Sequence, residues 1–485
     1  MKNLKQSVIK GIAWRSTVDI SNLILQIVFT AILARLLTPA DFGIVVMALL
    51  FIRFIKMMTQ IGFGTAIIQS QDITQAQISA IFLIQISIAC FISVFCYLSA
   101  PLAANFFNQP KLTELIHLLT WVVLINSFAF PQIILQKNMQ FAGTSILEII
   151  AMIISNTIGI IMAFKGYGIW SLVFRQMTQA IIFSTGIWII AKWIPIKPQF
   201  TGIKKIFNFG LNMYGSNIFY YFSQNLAAII IGKFIGAETL GAFNIAYNLA
   251  IVPAQKVQSI LTTVLTPAFS TVQAKLDQLR KNFFISLFSL GIVFIPLMIG
   301  LSAVAENFVL VVYGEKWQSA GMFLTLLAIV GLFKGIEHLL RSVILAKGGA
   351  ATIFHITIIE TTASLLLLSL GSYFFEVIGL IIAYITVSLI SFTLTTIAAQ
   401  NTIKDNTLLF RTTTRTFFAA GIMFAVITLG YYTLIESHSI TTLCTQIILG
   451  GSIYIVFRIK LLTKEEQSLI NKMPLAPILL LTHKK

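Results

Sequence analysis

Arg53 and Lys56 sit three residues apart in the middle and inner half of an apolar run, and no acid on that run neutralises them. On a helix they share one face. A charged side chain at the centre of a bilayer-spanning helix costs roughly 2.5 to 3.5 kcal/mol, so such a pair calls for an interface, a partner anion or a water-filled cavity. Lys256 lies equally deep in a later run without an adjacent acid, and Lys334, Glu337, His338 and Arg341 recur at i+3 and i+4 spacing. That spacing makes one polar helical face. Several like charges on separate helices are best stabilised together by an anionic ligand, because Arg and Lys pair strongly with phosphate or carboxylate oxygens at low dielectric. Arg53, Lys56, Lys256, Lys334 and Arg341 form the candidate anion-binding set, with scattered anchoring at the interface as the alternative.

Other charges read less sharply. Arg15 precedes Asp19 by one turn, so a structural ion pair competes with a ligand contact, and Arg35 falls at a run's end, where it can reach the headgroups. Arg175 is deep in its own run, and an ion pair with Glu148 on the preceding one is the alternative to ligand contact. The amides of Gln85, Asn126, Asn156, Gln176, Asn212, Asn217, Gln224, Asn225, Asn244 and Asn248 read mainly as hydrogen bonds between helices. His117, His355 and His438 are isolated. Cys90, Cys96 and Cys444 lack the paired spacing of a disulfide framework or zinc site.

The elements that carry these residues must be membrane helices. Of 485 residues, 57% are hydrophobic and 10% charged, whereas a soluble domain carries about 25% charged residues. A hydrocarbon core about 30 Å thick takes about 20 apolar residues of helix. Such runs predict helices at Ala13–Leu37, Phe42–Ile61, Ile78–Ala100, Glu114–Gln136, Thr144–Phe164, Tyr167–Ile190, Phe207–Ile231, Gly241–Leu265, Phe283–Ala305, Gly321–Ala346, Thr352–Phe374, Val377–Gln400, Thr412–Ile435 and Ile440–Ile459. The segment from Ala268 to Lys281 reads as an amphipathic helix on the membrane surface. The expected class is all-α, with about 14 transmembrane helices in two six-helix lobes plus two C-terminal helices around a central cationic cleft. The lobes are residues 1–190 and 207–400, joined by a linker at 191–206 and followed by a helix pair at 401–460 and a tail at 461–485.

The net charge of +17 is not a nucleic-acid patch, since most Lys and Arg residues fall in alternate connectors. Only Lys111, Lys165, Lys233 and Lys316 fall on the opposite side, which places both termini in the cytoplasm. The basic N-terminus lacks a small-residue cleavage site after it, so the first helix is expected to be retained. Connectors are too short for a folded catalytic domain, and the sequence holds no phosphate-cradling Gly-Lys-Ser or Gly-Lys-Thr, no His-Glu-x-x-His and no nucleophile elbow. No enzyme activity is expected. Sliding the first lobe by 198 positions lays Phe42-Gly43 over Leu240-Gly241 and Ala48 over Ala246, the mark of a parallel repeat.

Three segments carry a family resemblance: LARLLTPADFGIVVM from Leu33 to Met47, GYGIWSLVFRQ from Gly166 to Gln176, and YNLAIVPAQKVQSILTTVLTPAFSTVQ from Tyr247 to Gln273. They resemble the polysaccharide-export branch of the multidrug/oligosaccharidyl-lipid/polysaccharide flippases. That resemblance implies alternating-access transport of undecaprenyl-diphosphate-linked oligosaccharide across the bacterial inner membrane, for O-antigen, capsule or exopolysaccharide synthesis. It further implies a diphosphate on Arg53, Lys56, Lys256, Lys334, Arg341 and Arg15, and no cofactor beyond a coupling cation, sodium ion or proton, at Asp19, Glu148, Glu337 or Glu360. Polysaccharide polymerase and glycosyltransferases are the expected partners beside the lipid bilayer. The rivals are a small-molecule exporter of the same fold, disfavoured by the excess of bases, and a membrane-embedded polymerase, disfavoured by the short segment from Ala305 to Ala320.

Overall fold

The computed structural model describes residues 21–59, 63–70, 72–201, 221–222, 224–405, 407–434, 439–463 and 466–467. Arg15 and Asp19 lie outside them. The described residues are helical with no strand, and seven helical segments among them are long and apolar enough to cross a membrane. Outward faces are apolar: Phe91, Val94, Leu98 and Leu102 in one helix and Leu365, Leu366 and Leu370 in another are exposed, a surface suited to lipid. The chain divides into two compact units, Met1–Gly241 and Ala242–Lys485.

In the first unit, α1 (Ser21–Leu36) and α2 (Pro39–Thr59) meet at a tight corner. Thr38 caps α2: its hydroxyl accepts from the Asp41 backbone N–H at 3.2 Å, while the Asp41 carboxylate accepts from the Thr38 N–H at 3.0 Å and hydroxyl at 2.7 Å. Pro39 opens the helix where a missing N–H is harmless. After the short α3 (Phe63–Gln69) come α4 (Gln75–Phe107), α5 (Lys111–Ser127), α6 (Gln132–Lys137), α7 (Phe141–Phe164) and α8 (Ile169–Ala191). The helix expected over Glu114–Gln136 is in fact two, because the chain turns at 128–131, where Pro131 lacks the N–H that a continuous helix needs. Thr74 and Gln77 form a capping box on α4. Thr74→Ala is expected to cost about 1 kcal/mol, read as a lower melting temperature in detergent.

The segment 192–201 packs onto this unit. Trp193 is buried beside Phe63, Ile81, Phe82 and Phe130, and the Gln199 N–H donates to the Ala76 carbonyl at 3.1 Å. Further on, the Tyr221 hydroxyl donates to the Leu50 carbonyl at 2.6 Å, and the Tyr221 and Phe222 rings pack at a tilt against Phe54. These contacts draw the chain up to Gly241 into the first unit, whereas the sequence reading opens a second lobe at 207. α9 (Gln224–Ile235) ends in a π-helical turn, and α10 (Ala237–Thr271) starts beside α2. A Cβ on Gly43 would overlap the Ala237 carbonyl, and one on Gly241 would overlap the Pro39 carbonyl. Pro39 and Ala237, like Gly43 and Gly241, are 198 positions apart, so the contact is reciprocal between the two copies of the repeat.

The second unit holds the rest of α10, then α11 (Leu276–Tyr313), α12 (Gln318–Ala346), α13 (Ala350–Ile403), α14 (Leu408–Leu434) and α15 (Ile440–Lys460). The amphipathic surface helix expected over 268–281 is absent: α10 ends at Thr271, residues 272–275 turn, and α11 begins at Leu276. α11 also runs past the expected end at Ala305 to Tyr313, so the connector before α12 is shorter than the sequence indicates. Within α13, Phe375 and Glu376 leave helical geometry, Glu376 with φ of 50°, and the halves 350–374 (α13a) and 377–403 (α13b) fold back on each other. This is the break expected between Thr352–Phe374 and Val377–Gln400. Gly371 and Gly379 let the two backbones meet where any side chain would intrude.

Candidate functional site

The charged face of α12 meets α13. Arg341 stands one turn after Glu337 and donates from Nε to Glu337 Oε1 at 2.7 Å, while Nη2 pairs with Glu360 Oε2 at 2.9 Å. Lys334 Nζ pairs with Glu360 Oε1 at 3.3 Å and lies 5.6 Å from the ring centre of Tyr384. Hydroxyls complete the cluster: Ser391 donates to Glu337 at 2.8 Å, Thr395 to the same oxygen at 3.3 Å, and Arg341 Nη1 reaches Thr357 at 3.2 Å. Four charged groups from α12 and α13a therefore sum to zero, with every carboxylate multiply hydrogen-bonded, which is what makes ionised groups tolerable away from water. In this arrangement Lys334 and Arg341 already hold carboxylates, so an anionic ligand would have to exchange with them.

The sequence names the charged members of this cluster but misses Thr357, Tyr384, Ser391 and Thr395. A signal exists: Tyr384, Ser388, Ser391 and Thr395 recur at i+4, i+7 and i+11, a polar stripe along one face of a helix.

The remaining candidates are placed separately. Arg53 is exposed and Lys56 half-buried on α2, flanking Phe54 with its aromatic neighbours Tyr221 and Phe222. Lys256 on α10 and Glu148 on α7 are half-buried. Arg175 donates to Asn156 Oδ1 at 3.2 Å, and its stem packs against Gly159. Asn156 thus bonds across helices as expected through Oδ1, but its Nδ2, like those of Asn225 and Asn248, donates to the carbonyl four residues back on its own helix. A helix in lipid always offers that acceptor, so no neighbour is needed. Asn307 on α11 does cross to Gln446 on α15 at 2.7 Å, a pair the sequence does not suggest because Asn307 lies beyond the expected helix end at Ala305. Arg458 and Glu466, both buried, pair at 3.2 Å, with Arg458 over the Phe288 ring.

Residues 32–322 match the family model described as polysaccharide biosynthesis protein. The chain is 31% identical over 364 residues to the teichuronic acid biosynthesis protein TuaB of Bacillus subtilis (strain 168), covering 73% of this chain and 74% of that one. It is 26% identical over 398 residues to the lipopolysaccharide biosynthesis protein WzxC of Escherichia coli (strain K12), covering 80% of each. Among solved structures it is similar to the lipid II flippase MurJ in an inward closed conformation, with TM-score 0.74, 16% identity, and coverage of 91% of this chain and 97% of that one. At that identity the likeness is one of fold.

Proposed function

Because the chain belongs to the polysaccharide biosynthesis protein family, we propose that it is a flippase that carries a lipid-linked oligosaccharide from one leaflet of the membrane to the other. The guest proposed is undecaprenyl-diphosphate-linked oligosaccharide, the membrane the bacterial inner one with both termini cytoplasmic, and the cycle alternating access. The observation that carries this reading is the set of cations held within apolar helices: Arg53 and Lys56 on α2, Lys256 on α10, and Lys334 and Arg341 on α12. A diphosphate is the headgroup that repays such placement, since charge-assisted hydrogen bonds to phosphate strengthen away from water while a polyprenyl tail stays in lipid. Sugar enters through hydroxyl contacts with amides and serines, a sodium ion or proton drives the cycle by way of Asp19, Glu148, Glu337 or Glu360, and Arg15 joins the cations that receive the diphosphate. Polymerase and glycosyltransferases of the same polysaccharide would act on either side of this step.

Translocation in liposomes tests the proposal. A fluorescent polyprenyl-diphosphate oligosaccharide placed in one leaflet should become accessible to a membrane-impermeant quencher on the other side when the wild-type protein is present. Arg53→Ala and Lys256→Ala should each slow this by roughly 10- to 100-fold, the worth of one hydrogen bond to a charged group, about 1.5–3 kcal/mol. A lipid that stays in its starting leaflet with the wild-type protein would sink the reading, because a polymerase or a scaffold would leave it there.

A further inference from the structure

The neutral cluster on α12 and α13 is built unevenly. Glu337 is its floor: its side chain is 5% exposed, and a single oxygen collects Arg341, Ser391 and Thr395. Glu360 is at the open side, 18% exposed, as are its partners Lys334 at 14% and Arg341 at 19%. Arg341 grips Glu337 through Nε at 2.7 Å and reaches Glu360 with Nη2, so losing Glu360 leaves Arg341 oriented. One turn along α13b, Ser388 is buried with a hydroxyl that has no hydrogen-bond partner among the described residues. It stands on the same face as Tyr384, Ser391 and Thr395, a donor to spare beside a cluster whose other members are paired.

Resting on the reading of the guest as a diphosphate lipid, we infer that Glu360 is an exchangeable counter-ion: diphosphate oxygens take its place on Lys334 and Arg341, and the released carboxylate takes up one proton. An O–H bond forms at a Glu360 oxygen, the proton comes from water, and nothing is oxidised or reduced. Charge requires such a step. By itself the cluster holds two positive and two negative groups, so a diphosphate diester with two negative charges would leave it at two negative in low dielectric, and each proton gained relieves one. Glu337 does not exchange, because its donors surround it from both α12 and α13b. Lys334 and Arg341 from α12 and Ser391 from α13b touch the Glu360 carboxylate, Glu337, His338, Thr357 and Tyr384 surround those partners, and Ser364 bonds only the backbone carbonyl of Glu360. Guest binding and proton uptake are thereby one event at one residue, and the proton offsets part of the negative charge the guest brings.

Calorimetry on the full-length protein in detergent tests this, with a polyprenyl diphosphate bearing one sugar as the probe. Both phosphates of that diester are already ionised at neutral pH, so the probe contributes no proton of its own. Titrations in two buffers of different ionisation enthalpy should give uptake of about one proton per lipid bound by the wild-type protein, and affinity should fall up to tenfold per pH unit where Glu360 is ionised in the free protein. Glu360→Gln should bind with no uptake and little pH dependence. Wild-type binding without proton uptake overturns the inference while sparing the flippase reading, and so does uptake that persists in Glu360→Gln. Failure of the wild-type protein to bind the lipid overturns both. The wild-type titration stands alone if the variant does not fold.

Discussion

Arg341→Met is expected to remove most of the protein from the membrane fraction, with a loss of about 3–5 kcal/mol in stability. Two carboxylates, Glu337 and Glu360, depend on this one guanidinium, and Met fills the volume without replacing either charge. What remains for Glu337 is two hydroxyls, Ser391 and Thr395, which cannot balance an ionised group that is almost fully buried. Lys334→Met should cost less, because Glu360 keeps Arg341 and Ser391. Arg341→Lys should behave more like Met than like the wild type: an ammonium is a point donor and cannot span two carboxylates as the planar fork does. Membrane-fraction abundance and melting in detergent check the order Met and Lys at 341 worst, Met at 334 milder. Equal melting of Arg341→Met and wild type would show that the cluster is solvated and not a buried network.

How much of this was legible in the sequence depends on the range of the signal. The breaks at Glu376 and at the Thr38–Asp41 corner are local matters of hydropathy, turn geometry and capping, and the runs place these two to within a few residues. Helix lengths were underread, as in α11, since the hydropathy of Glu306 and Asn307 ends a run that backbone hydrogen bonding simply continues. The charged face of α12 was visible because i+3 and i+4 spacing is local. Its partner Glu360 was visible only as a stray acid, for nothing in a single sequence says which two helices of a bundle touch. The same limit made the cations look like a set awaiting a ligand, when Lys334 and Arg341 have carboxylates at hand. Arg53, Lys56 and Lys256 remain where the sequence put them, within apolar helices.

The repeat offers the second large effect. Gly43→Leu is expected to cost about 3 kcal/mol or more, at the upper end of overpacking changes, because the first atom it adds falls on the Ala237 backbone and not on a side chain that could rotate away. Gly241→Leu should cost a similar amount, since its Cβ meets the Pro39 carbonyl in the reciprocal contact. Gly451→Ala is the control: it sits exposed in α15 with nothing within 4 Å of its would-be Cβ, so the better helix former should be neutral or stabilising by up to about 1 kcal/mol. The decisive comparison is the double change. Either leucine alone must separate the same two helix starts, so once they are apart the second should add little, and the pair should cost clearly less than the sum of the singles. Full additivity in detergent melting would mean that each glycine answers to its own surroundings, and that the 198-residue correspondence at this corner is not a shared contact.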